Sequence, residues 1–165
     1  MKRLSLFVVA LALVAVGCSK SSTSPSNTPT KPTFTATLSA ANEVPPIAGT
    51  EAGARGDATI TFDTAASSVT FVVNLSGFPA GSQINIAHIH EGSSTIAGPV
   101  RIGTTLTAAQ AIVLTSGSGS FTSTATGVDQ ALMQAIMNNP AGYYFNAHSA
   151  INTGGVVRGQ LVKVS

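Results

Sequence analysis

Ala87-His88-Ile89-His90-Glu91-Gly92 puts two of the chain's three histidines one residue apart in an alternating run. Successive side chains of a strand point to opposite faces, so His88 and His90 share one face. The same alternation places Ile84 and Ile86 in line with them and turns Ala87 and Ile89 the other way. It predicts a strand over residues 83–91, followed by a loop from Gly92. The third histidine, His148, ends another strand-like run, Tyr143-Tyr144-Phe145-Asn146-Ala147-His148. A sheet that pairs the two runs brings three imidazoles together.

Outward from this strand the period of two recurs. Phe34, Ala36 and Leu38 alternate with hydroxyl side chains. Residues 58–62 and 69–75 alternate again across a short polar turn, which predicts an antiparallel hairpin. Shorter runs follow at 100–102, 111–114, 118–126 and 156–164. One segment, 129–138, has helical period instead: Asp129 is placed as N-cap, Leu132, Met133, Ile136 and Met137 form a stripe, and Pro140 lies beyond the end. The methionines are expected as core filler. About eight or nine short strands and one helix predict an all-β fold, an antiparallel Greek-key β-sandwich or barrel with one short helix in a crossover.

Charge narrows the partners. The formal +2 of the 165 residues includes Lys2 and Arg3. Without them, six basic residues (Lys20, Lys31, Arg55, Arg101, Arg158, Lys163) face six acidic ones (Glu43, Glu51, Asp57, Asp63, Glu91, Asp129). Nucleic-acid binding needs a basic face, and none is available. The single Cys18 has no internal disulfide partner.

The first residues predict export. Met1-Lys2-Arg3 is a positive start, and residues 4–16 are apolar except for Ser5. Such a run falls short of the ~20 apolar residues of a membrane span and matches a signal peptide, here 1–17. Ala15-Val16-Gly17-Cys18 resembles a bacterial lipobox, with Ala15 where Leu is usual. On that resemblance Cys18 is lipidated, and several acyl chains hold the protein to a membrane. Ser19, in place of Asp, resembles the pattern sent to the outer membrane or cell surface. Residues 18–32 are rich in Ser, Thr and Pro and are expected to be a solvated tether. The folded domain is expected over 33–165.

Five ordered motifs carry a family resemblance: Asn42-Glu43-Val44-Pro45-Pro46; Ala87-His88-Ile89-His90-Glu91-Gly92; Gly98-Pro99-Val100; Tyr144-Phe145-Asn146-Ala147-His148-Ser149; and Gly154-Gly155-Val156-Val157-Arg158-Gly159-Gln160-Leu161. Together they resemble the CHRD domain, named after chordin and also found alone in bacterial exported proteins. Ser149 stands where Thr is usual, and Val157 where Ile is frequent. The resemblance implies an extracytoplasmic β-sandwich and no established activity. A second resemblance is to copper–zinc superoxide dismutase: His88, His90 and His148 match three copper ligands, and Arg158 the arginine beside the copper. No further histidine is available for the bridging ligand or the zinc site, so dismutase activity is not expected.

Two functions follow for the polar residues. In the first, no cofactor is bound, and Glu43, Glu91, Asn146 and Arg158 form a buried network that pins the strands of a non-enzymatic binding or structural module. A buried Arg158 then needs a carboxylate, Glu43 or Glu91. In the alternative, His88, His90 and His148 hold copper or zinc. Catalytic templates are absent: the chain has no Gly-x-Ser-x-Gly elbow and no P-loop. The expected partner is the membrane, through the anchor. The sequence names no protein or small-molecule ligand.

Overall fold

Threonine and apolar residues in strict alternation give most strands one face for water and one for a core. The computed structural model describes residues 31–164; the predicted signal peptide, Cys18 and the tether as far as residue 30 lie outside them. Ten strands form: β1 (Thr33–Ser39), β2 (Arg55–Asp63), β3 (Ser68–Ser76), β4 (Ser82–Glu91), β5 (Val100–Gly103), β6 (Ile112–Leu114), β7 (Gly119–Thr126), β8 (Tyr143–Ser149), β9 (Val157–Gln160) and β10 (Val162–Lys163). One α-helix, α1 (Gln130–Asn138), connects β7 to β8.

All pairings are antiparallel, in the order β5-β4-β8-β9-β1-β2-β3-β7, with β10 beside β1 and β6 beside β4. The far edges approach each other. The Thr105 N–H, just after β5, donates to Ser123 Oγ of β7 at 2.8 Å. The sheet is thus a nearly closed barrel, and its neighbours out of chain order carry the expected crossovers.

Inside the barrel, the β2–β3 register sets Ile60 beside Phe71 and Phe62 beside Val69, all fully buried. Phe34 meets Phe62 edge-on with centroids 5.3 Å apart. Phe71 approaches Phe145 at 5.8 Å, linking β3 to β8 across the core. Truncating such a ring to Ala costs about 3–5 kcal/mol. The helix matches its expected capping: Asp129 accepts from the Leu132 N–H at 2.8 Å, and Met133 and Ile136 are buried.

Strands β4, β8 and β9 depart from simple alternation. In β4 the register slips between Ile84 and Ile86, so Ile84 is fully buried while Ile86 faces outward. Ile84 therefore does not line up with His88 and His90 as the alternation predicts; a β-bulge takes up the extra residue and reverses the parity. In β8 every residue is buried. Phe145 and Ala147 pair with Ile89 and Ala87 on the core side. Tyr144, Asn146 and His148 lie on the opposite side, where loops cover them.

Candidate functional site

The outer side of β8 carries a small grid of polar residues. Across β4, β8 and β9 the register sets His90 opposite Tyr144 and Tyr144 opposite Gln160. It sets His88 opposite Asn146 and Asn146 opposite Arg158, while His148 faces Ile86. This register brings the three histidines together. His88 Nδ1 lies 3.3 Å from His148 Nε2. One ligand nitrogen from each ring lies within 4.8 Å of the other two.

Backbone carbonyls set the tautomers. His90 Nδ1 lies 2.9 Å from the Gly98 carbonyl, and His148 Nδ1 lies 2.9 Å from the Thr153 carbonyl. A carbonyl only accepts, so each Nδ1 carries the proton and each Nε2 keeps a lone pair. His148 Nε2 then accepts from His88 Nδ1–H. His90 Nε2 is buried and has no partner. Burial, together with repulsion from His148 and His90, lowers His88 to a pKa of about 4. Burial also holds His90 and His148 below the usual imidazole value, against the bonds to Gly98 and Thr153. The rings are therefore neutral at pH 7. Neutral imidazoles are what a metal ion takes as ligands; His90 and His148 are oriented for one through Nδ1–H, and an ion taking all three rings would replace the His88–His148 hydrogen bond.

Two clamped loops roof the grid. Arg158 is 1% exposed, and its guanidinium donates to the carbonyls of Ser93 at 2.7 Å and Ile96 at 3.2 Å. Its central carbon sits 3.5 Å from the Tyr144 ring centroid on the β9 side. From the β4 side, His90 stacks on the same ring at 4.9 Å. Gly98 is gripped twice: its N–H donates to the Tyr144 hydroxyl at 3.1 Å, and its carbonyl accepts from His90. A Cβ at Gly98 would lie 1.6 Å from the Glu91 carbonyl oxygen, so only glycine fits.

The expected carboxylate partner of Arg158 is not found. Among the described residues the ion pairs are Lys31–Asp63 and Arg101–Glu91. Glu91 ends β4 in solvent, 3.6 Å from Arg101 Nε, and lies outside the buried network. Loop carbonyls solvate the guanidinium instead. Glu43 is buried on the Asn146 side, where its Oε2 accepts from Asn146 Nδ2 at 3.4 Å. Burial pushes the Glu43 carboxyl up to about 7, against the pull of Arg158 and Asn146. Gly155, at φ 135°, closes over this pair; a Cβ there would lie 2.6 Å from Asn146 Nδ2.

Sequence reasoning missed Glu51, which is 1% exposed. Its Oε2 accepts from Ser149 Oγ and Asn152 Nδ2, both at 2.6 Å. Those bonds pin the turn whose Thr153 carbonyl holds His148. The available signal was a carboxylate in Gly49-Thr50-Glu51-Ala52-Gly53, a loop with no charge of its own to answer it. Gln160 was missed as well: its Nε2 reaches the Gly92 carbonyl at 3.0 Å and the Ala141 carbonyl at 2.8 Å.

These features define an antiparallel β-barrel module with a roofed polar face. The CHRD domain family model matches residues 34–161, and the chain belongs to that family. No curated protein matches the chain.

Proposed function

We propose that the chain is a lipid-anchored, non-enzymatic module of the cell envelope that holds one copper or zinc ion on His88, His90 and His148. Membership of the CHRD family supports the non-enzymatic module. One observation carries the metal: the Nε2 lone pair of His90 is buried without a donor, beside two further imidazoles. A buried acceptor left unpaired costs about 1–3 kcal/mol, and an ion shared by three rings removes that cost.

Titrating the mature chain with Cu²⁺ and Zn²⁺ tests this. One ion should bind per chain, raise the melting temperature, and be lost in His90→Ala and His148→Ala. A competing reading, in which the histidines only hold the strands, is supported by the clamps from Arg158 and Glu51. It predicts less stable variants and no thermal shift with metal. The anchor has a separate test: Cys18→Ser should move the protein from the membrane to the soluble fraction, and retention in the membrane sinks the lipobox.

A further inference from the structure

The three histidines are not held alike, and on the metal-binding reading above the difference gives them different parts. His90 and His148 are buried, and each is fixed through Nδ1 on a backbone carbonyl, of Gly98 or Thr153. His90 is also stacked on Tyr144, with ring planes 10° apart. Their Nε2 atoms are therefore aimed before any ion arrives. His88 is half-buried, and its Nδ1 bonds instead to another member of the cluster, His148 Nε2, at 3.3 Å. Across the strand pair it faces Gly103, which has no side chain to wall it in; a Cβ there would lie 3.6 Å from His88 Cδ2.

The bond from His88 occupies the lone pair of His148 that an ion needs. Two imidazole nitrogens on one tetrahedral ion, each about 2.0–2.1 Å from it, stand about 3.3 Å apart. His88 Nδ1 and His148 Nε2 already have that spacing. An ion can therefore take the place of the proton between them. The Nδ1 proton leaves to water and Nε2 takes one from water, so the ring stays neutral. Binding costs His88 its hydrogen bond, whereas His90 and His148 keep theirs to Gly98 and Thr153. We infer that His88 is the exchangeable ligand of the site: it joins the ion last and leaves it first, and the ion enters and departs on its side.

The test is release and rescue. The mature chain and its His88→Gly, His90→Gly and His148→Gly variants are loaded with Zn²⁺ or Cu²⁺, and release into excess chelator is timed with and without free imidazole. His88→Gly should still bind one ion per chain, about 10–100-fold more weakly and with faster release, the scale on which groups around a metal tune its affinity. His90→Gly and His148→Gly should lose the ion. Free imidazole should restore slow release in His88→Gly, because that slot opens to solvent, and should do nothing for the two buried slots. Equal loss in all three variants overturns the inference, as does rescue of a buried slot with none at His88. If the His90 and His148 variants do not fold, His88→Gly decides alone: no residual binding, or no rescue by imidazole, overturns the inference. Failure of the wild-type chain to bind either ion overturns the metal-binding reading itself, a different outcome from loss in His88→Gly.

Discussion

Tyr144 lies flat against His90, with ring planes 10° apart. The stack joins a core strand to the imidazole cluster, and the Tyr144 hydroxyl holds the loop above it. Two functions of one side chain are therefore separable. Tyr144→Phe keeps the stack and loses the bond from the Gly98 N–H, for a cost of about 1 kcal/mol. Tyr144→Ala removes the ring between Arg158 and His90 and should cost about 3–5 kcal/mol. Urea denaturation of both variants gives the two numbers.

The glycine pair at 154–155 makes a sharper prediction. At Gly155 a methyl group meets the Asn146 amide and the Glu43 carboxyl, and the backbone is in a region side chains avoid. At Gly154 the same methyl meets nothing within 4 Å. Gly155→Ala should destabilise by about 2–4 kcal/mol, and Gly154→Ala should stay within about 0.5 kcal/mol. Equal melting temperatures for the two variants would refute the packing of Gly155 over that pair.

Stability should respond to pH through two opposed groups. Glu43 titrates near 7 in the folded chain against 4.5 ordinarily. Its stabilising contribution is full below about pH 4.5 and is lost as the pH rises through 7. His88 titrates near 4 when folded against 6.5 ordinarily. Its contribution is present above 6.5 and is lost as the pH falls towards 4; His90 and His148 shift in the same direction. Glu43→Gln should therefore gain about 3 kcal/mol on the wild type between pH 4.5 and pH 8, while the acid-side loss persists. Urea midpoints from pH 4 to pH 8 give the comparison.

Glu51→Ala should loosen the turn after β8. It leaves Ser149 Oγ and Asn152 Nδ2 without their shared acceptor, at a cost of about 2–3 kcal/mol. Amide exchange should accelerate first in residues 149–155. Uniform acceleration across the barrel would show that the carboxylate serves global stability and not this turn.

What was legible depended on whether the physics was local. Alternation exposed β1 to β3 because each has one wet face, and Asp129 with its apolar stripe marked the helix. The spacing of His88 and His90 announced a shared face, which pairing with β8 then joined to His148. Arg158 was misassigned a carboxylate because its actual partners are the carbonyls of Ser93 and Ile96, and a carbonyl leaves no mark on residue identity. Glu51 was invisible for the converse reason: its partners, Ser149 and Asn152, lie about 100 positions away in an uncharged turn.

The bulge at Ile84–Ile86 has a consequence for engineering and for comparison between relatives. One surplus residue lets Ile84 belong to the interior and His88 to the exterior, although they are separated by an even number of positions. Removing Asn85 should leave both allegiances intact and merely straighten the strand. Adding or removing a residue between Ile86 and His90 should turn the imidazoles inward. Length changes are thus neutral on one side of Ile86 and ruinous on the other. Relatives that differ in length here should carry their gaps opposite Asn85.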